Sequence, residues 1–201
     1  MEIKHIFKKM ERYKKLLGIS FVAGIFIGVA AYFFPSKYIA TGSLFINRSV
    51  NKETAYFTYE GYYGQQTAAA YTNSVLALMD SLDIKKIILE TNQIPLTSAN
   101  IKALNKLISI KKPGPQVISV TIKGRTYDEA QRLWISMANA TVGVTSELNK
   151  KGDPNLSVSL VSTQPLVRLP YKSIYLFIAG GVLTSLLAAC FAICIKEYSK
   201  S

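Results

Sequence analysis

Two uncharged stretches bracket this chain, Leu16 to Ser36 near its start and Ser173 to Ile195 near its end, and each is long enough to cross a bilayer as a helix. At a rise of about 1.5 Å per residue the shorter one spans about 31 Å, against a hydrocarbon core of about 30 Å. Lys14, Lys15 and Lys37 close the first stretch, and Lys172 and Lys196 close the second. The core helix of a soluble protein rarely reaches such a length twice between basic flanks. The sequence therefore predicts a membrane protein with one central domain.

Charge sets the expected orientation. The first fifteen residues carry six Lys or Arg (Lys4, Lys8, Lys9, Arg12, Lys14, Lys15) against Glu2 and Glu11, and the end of the chain carries Lys196 and Lys200 against Glu197. Short basic flanks stay in the cytoplasm, whereas a long loop is translocated largely regardless of its charge. The expected layout is a cytoplasmic basic tail (1–15), a first span (16–36), an extracytoplasmic domain (37–172), a second span (173–195) and a short cytoplasmic tail (196–201). A cleaved signal peptide fits the first stretch poorly. Its apolar run is too long, and Phe33-Phe34-Pro35-Ser36-Lys37 offers no small-residue cleavage site.

A central stretch of 136 residues can bury one core but not two substantial ones. Of the formal net charge of +12, that stretch contributes sixteen Lys or Arg against nine Asp or Glu. Anionic lipid headgroups account for the basic tail, an acidic polymer or solubility for the domain, and an extracytoplasmic placement argues against nucleic acid. Both cysteines, Cys190 and Cys194, fall in the second span, so no structural disulfide is expected; they read as small packing residues, with acylation as the alternative.

Within the central domain, Tyr38 to Ile46 alternates as a first strand. A long helix follows from about Ala55 to Met79, weakened at its start by Gly61 and Gly64. Ser81–Thr91 and Ser98–Leu107 read as shorter helices, separated by Pro95, with Thr97, Ser98 and Asn100 as cap candidates for the second. Ile108 and Ile110 enter a Lys112-Pro113-Gly114-Pro115 turn, and Ile118, Val120 and Ile122 leave it, which is a hairpin with one buried face. Thr126 and Glu129 form a capping box for a helix to about Asn149, with Ala130, Leu133, Trp134, Met137, Thr141, Val144 and Leu148 at the 3.6 period. Ser157–Ser162 supplies a last strand, and Pro165 and Pro170 lead into the second span. The fold class is α+β: two transmembrane helices flank one mixed α/β ectodomain, whose sheet of about four strands is covered by helices. The first and last strands should lie side by side, since both are tethered to the membrane.

The only histidine is His5, in the basic tail, so neither a Ser-His-Asp triad nor a histidine metal site can be built in the domain. No GxxxxGK[ST] or GxGxxG motif occurs. The carboxylate pairs Asp80/Asp83 and Asp128/Glu129 belong to helix starts and junctions, where negative charge offsets the helix dipole. The expectation is a protein that is not an enzyme and uses no cofactor or metal.

Small residues in the spans carry more information. Gly24 and Gly28 form GxxxG in the first span, and Gly181, Ser185 and Ala189 repeat every four residues in the second, which predicts close helix packing within one chain or between subunits. Tyr56, Tyr59, Tyr62, Tyr63 and Tyr71 cluster ahead of and along the long helix. Tyr59, Tyr62 and Tyr63 are candidate contacts to another subunit or to glycan rings, with ordinary packing as the plainer account.

The order of a basic tail, a span, Tyr38-x-Ala40, a helical domain with ThrIleLysGly (121–124) before AspGluAlaGln (128–131), Asn139 in the next helix, and Pro165 and Pro170 before the second span resembles the polysaccharide co-polymerase, or chain-length determinant, family. The resemblance covers nearly the whole chain, although the proline segment, Gln164 to Tyr171, holds only two prolines. It implies a non-enzymatic, two-span protein of the bacterial plasma membrane that forms homo-oligomers. Such a protein regulates the length, assembly or export of O-antigen, capsule or exopolysaccharide chains, with a separate polymerase or the glycan as partner. The chain is expected to be a short member without a fused kinase domain. The alternative is a membrane adaptor or sensor that modulates a separate cytoplasmic tyrosine kinase.

Overall fold

The computed structural model describes residues 13–49 and 59–198, apart from the side chains of Tyr59, Glu60 and Glu197. In chain order the elements are α1 (Lys14–Tyr32), β1 (Tyr38–Arg48), α2 (Tyr59–Asp80), α3 (Leu82–Thr91), α4 (Ser98–Leu107), β2 (Ile108–Gly114), β3 (Val117–Gly124), α5 (Tyr127–Lys151), β4 (Leu156–Leu160), β5 (Leu166–Arg168) and α6 (Ile174–Tyr198). Ser36–Pro170 forms one compact unit, and α1 and α6 belong to another. The mixed α/β class, the flanking apolar helices and the side-by-side first and last strands match the reading of the sequence.

β1 organises the sheet. On one side it pairs with β3 from Tyr38↔Gly124 to Phe45↔Val117; on the other it takes β4 over Leu44–Arg48 and β5 over Ile39–Thr41. β2 pairs with the far side of β3, and every pairing is antiparallel. β4 and β5 thus form one edge of the sheet with a break between them. Val161 N still donates to Ser43 O at 3.0 Å. The ladder cannot continue through the buried Pro165, which has no N–H to give.

Even-numbered residues of β1 and β3 (Ala40, Leu44, Ile46, Ile118, Val120, Ile122) are buried under the helices, together with Leu133, Trp134 and Met137 of α5 and Val75 and Met79 of α2. The odd-numbered residues point away from them. The result is a two-layer structure with helices on one face of the sheet. Two glycines permit the closest approaches. A Cβ on Gly42 would run into the Trp134 ring, whose Nε1 donates to Val120 O at 3.2 Å, and one on Gly124 would lie 2.5 Å from Ala130 N.

Helix starts follow their caps. Ser81, Thr97 and Thr126 each accept a hydrogen bond from the backbone N–H three residues on, at 3.4, 3.2 and 3.1 Å. The Glu129 carboxylate closes the box one residue early, accepting from Arg125 N at 2.6 Å rather than from Thr126 N.

Several expectations need correction. The first apolar helix ends at Tyr32 rather than Ser36, because Pro35 cannot continue a helical hydrogen-bond ladder, and the second runs Ile174–Tyr198 rather than 173–195. The sheet's main path has the expected four strands, to which the short β5 is added, and the expected strand Ser157–Ser162 is Leu156–Leu160. The segment assigned as a lead-in to the second span contributes β5. Leu148 is 53% exposed, and beyond Thr141, which is buried as expected, the stripe of α5 runs through Thr145 and Asn149 rather than Val144 and Leu148. The expected start of the long helix near Ala55 lies outside the described residues.

Candidate functional site

The predicted packing residues come together between α1 and α6. Gly24, Gly28, Gly181 and Ala189 are buried. A Cβ on Gly28 would lie 2.6 Å from Phe177 O and 2.7 Å from Ile178 Cα; one on Gly181 would lie 2.7 Å from Gly28 N. A Cβ on Gly24 would lie 2.7 Å from Val182 Cα and would also meet the Ser185 hydroxyl, which donates to Val182 O at 2.9 Å. Of the two arrangements that the sequence left open, the structure shows packing of the two helices of one chain. The backbones approach because neither stripe carries side chains that would hold them apart.

Both ends of the helix pair are fastened by aromatic and basic groups. Tyr32 and Phe177 meet edge to face with centroids 6.1 Å apart, and Lys172 Nζ lies 5.7 Å from the Phe177 centroid while donating to Tyr32 O at 3.2 Å and to Phe34 O. At the other end Lys196 Nζ sits 5.9 Å from the centre of the Tyr13 ring. The start of α1 and the end of α6 are therefore neighbours. The two helices are antiparallel, each apolar and long enough to cross a membrane.

The proline segment divides in two. Pro165 is buried at the break before β5, whereas Pro170 is half-buried at the boundary of the sheet domain and is followed by Tyr171, which is 93% exposed. The two prolines thus have separate settings.

Of the tyrosines, Tyr62 and Tyr63 are exposed at the start of α2 and pack edge to face at 5.9 Å; Gln66 Nε2 donates to the Tyr62 hydroxyl at 2.7 Å. Tyr56 and the Tyr59 side chain lie outside the described residues. Gly61 and Gly64, from the same turn of α2, line a polar cleft of about 450 Å³ with Arg48, Gln65 and Gln116. Tyr71 is elsewhere: its hydroxyl donates to Asn149 Oδ1 at 2.7 Å, and Asn149 Nδ2 donates to Leu156 O at 2.8 Å. Burial raises the Tyr71 pKa despite that hydrogen bond.

The carboxylate pairs are engaged in structure. Asp80 accepts from the buried Lys85 ammonium at 2.7 Å, Asp83 lies in the first turn of α3, and Asp128 and Glu129 lie in the first turn of α5. Among the described residues no group of three or more His, Cys, Asp or Glu could hold a metal ion. Asp153 binds Arg48 Nε at 2.8 Å, and that bond together with Asn155 N–H holds its carboxyl below the usual carboxylate range. A second depression, of about 300 Å³, has Lys37, Lys106 and Arg125 exposed around the buried Leu89, Leu104 and Leu133.

Neither protein-family models nor curated proteins give a significant match to this chain.

Sequence reasoning missed Lys85, Asn149 and the Arg48–Asp153 pair. Lys85 is charged at a position that the period of α3 marks as core, and that mismatch was the available signal. Arg48 and Asp153 are brought together by the pairing of β1 with β4, which no local pattern announces.

Proposed function

We propose that this protein is a non-enzymatic membrane scaffold that regulates the chain length, assembly or export of a surface polysaccharide. The observation that carries the reading is the ordered series of a span, a strand, helices, a hairpin, a capped helix, a strand returning to the first, and a second span packed on the first. The residues behind the resemblance hold positions that matter to this arrangement. Gly124, which ends ThrIleLysGly, gives the close approach to Ala130 of AspGluAlaGln, and Pro165 and Pro170 frame β5.

In this reading the membrane is a bacterial plasma membrane, both termini are cytoplasmic and the sheet domain is extracytoplasmic. Copies of the chain assemble through surfaces outside the α1–α6 seam, and Tyr62 and Tyr63 are among the exposed groups available to another subunit or to glycan. A separate polymerase makes the bonds.

The test compares surface polysaccharide size on gels from cells with and without the gene, alongside Gly24→Leu and Pro170→Ala variants. A shifted distribution with polymer still made is expected on loss of the gene, and the same direction of shift in Gly24→Leu, whose added side chain has no room. An unchanged distribution would overturn the reading in favour of an adaptor for a separate cytoplasmic kinase.

A further inference from the structure

The five strands contain no Asp or Glu. On the helix-covered side their cations are engaged, Arg48 with Asp153 and Lys112 with Asn73 at 2.7 Å. The opposite side presents Lys111, Lys123 and Arg168, all exposed. Strand register arranges these residues in rows. Lys123, Ile39 and Arg168 form one row across β3, β1 and β5. Next to it Ser109, Thr121 and Thr41 lie side by side, the Thr41 and Thr121 hydroxyls 3.4 Å apart and the exposed Leu166 ending the row at β5, and then come Lys111, Ser119 and Ser43. Phe45 follows, flanked by Val117 and Ser159. With strands about 4.8 Å apart, the Lys123 and Arg168 backbones stand about 10 Å apart, with the hydroxyl rows running from them towards Lys111.

Nothing in the folding of a two-layer domain requires this pattern. A solvated sheet face ordinarily mixes both signs of charge. Here the domain's described carboxylates sit on the helices or in the loop at Asp153, which leaves the bare face uniformly cationic. A row of side-chain hydroxyls, each able to donate and accept, complements a chain of sugar hydroxyls. An exposed aromatic ring such as Phe45 suits the apolar face of a sugar ring.

We propose that the helix-free face of the sheet binds an acidic polysaccharide, with Lys111, Lys123 and Arg168 taking its anionic groups and the Ser/Thr rows taking its hydroxyls. The choice of polymer class rests on the polysaccharide reading above. An anionic bilayer would meet the same cations. A face built to lie in a membrane interface, however, presents a continuous apolar surface, and here the exposed apolar side chains, Leu166 on β5 and Phe45, are separated by rows of hydroxyls. The cations supply affinity that falls with salt, while the hydroxyl rows and Phe45 supply the preference for a sugar chain.

The test uses the full chain in nanodiscs of zwitterionic lipid, with polygalacturonate and hyaluronate as acidic probes, dextran as the neutral probe, and phosphatidylglycerol vesicles as the membrane probe. Binding to the acidic polymers but not to dextran is expected, weakened by salt. It should fall by about tenfold in the triple variant Lys111→Gln, Lys123→Gln, Arg168→Gln, as three exposed charge contacts permit. A control triple on the helices, Lys86→Gln, Lys102→Gln, Lys106→Gln, should bind as the parent does, and both triples should melt within a few degrees of it. Failure to bind either acidic polymer, an equal loss in the control triple, or a sheet-face effect confined to phosphatidylglycerol vesicles would each overturn the proposal. The cellular experiment is independent: polymer that still binds while the gene's loss leaves chain length unchanged overturns the proposed function and upholds this surface, and the converse overturns this surface alone.

Discussion

Gly42 leaves the space that the Trp134 indole fills, and Trp134 in turn gives its N–H to Val120 O. Gly42→Ala forces the ring aside in a packed core, and a loss of about 1–3 kcal/mol is expected, read as a lowered unfolding midpoint of the full chain in detergent. Adding Trp134→Leu should make the two changes non-additive, because the smaller side chain removes the clash; additive losses would show that the glycine serves some other purpose. Two polar groups with shifted pKa contribute to the pH dependence of the domain. Asp153 is held below its ordinary value of about 4 by Arg48, so the folded state binds its proton less readily than the unfolded chain does. Its contribution is present above pH 4 and is lost as pH falls through the depressed value. Tyr71 is raised by burial, so its contribution is present below its ordinary value of about 10 and is lost as pH rises through the raised one. Melting curves from pH 3 to 11 should therefore droop at both ends, with Asp153→Asn flattening the acid limb and Tyr71→Phe the alkaline one. At this scale the sequence disclosed local partners such as Thr126 with Glu129. It did not disclose Gly42 with Trp134 or Arg48 with Asp153, because the first pair exists only once α5 has packed on the sheet and the second only once β4 has paired with β1.

Elements were legible where their signal was long or capped. The two apolar helices, the hairpin and the helices begun by Ser81, Thr97 and Thr126 all stand near their expected bounds. β5 was not legible, because three residues between prolines carry no alternation to read; it exists because β1 is longer than β4 and leaves Ile39–Thr41 unpaired. The buried stripe of α5 was misread for a different reason. Thr145, unlike Thr141, stands off the expected stripe and reads as a surface residue, yet its hydroxyl donates to Thr141 O at 2.7 Å, as the Thr141 hydroxyl does to Met137 O at 2.8 Å, and so enters the core satisfied. The packing stripes of α1 and α6 were legible as stripes, although only the structure shows that they face each other. Side-chain volume at those positions should therefore govern the helix pair. Gly28→Leu places a side chain against the Ile178 backbone and should lower the SDS concentration at which the full chain unfolds, whereas Gly18→Leu, with nothing within 4 Å of its Cβ, should leave it unchanged. Equal effects from the two substitutions would mean that helix hydrophobicity, and not the seam, sets stability.

Across the whole molecule two rules of membrane insertion compete, since the domain between the spans carries sixteen Lys or Arg against nine Asp or Glu, an excess larger than that of either tail. If total charge decided topology, this domain would be the part held in the cytoplasm. Retention acts instead on charges close to a span within short loops, and a domain of this length is translocated largely regardless of charge. Lys14 and Lys15 at the start of α1 and Lys196 near the end of α6 lie at the same end of the antiparallel pair, as the Lys196–Tyr13 contact shows. Both tails therefore favour the same orientation. A chain with Cys190→Ser and Cys194→Ser, given a new cysteine by Lys112→Cys in the β2–β3 hairpin, should react with a membrane-impermeant maleimide on intact cells. The same background with Ser201→Cys should react only after permeabilisation, and the opposite labelling would invert the topology and remove the proposed surface from contact with exported polymer. Neutralising Lys8, Lys9, Arg12, Lys14 and Lys15 removes most of the retention signal while leaving the domain's charge intact. A fraction of molecules should then label at position 201 without permeabilisation, which would show that the short tail outweighs the larger charge of the domain.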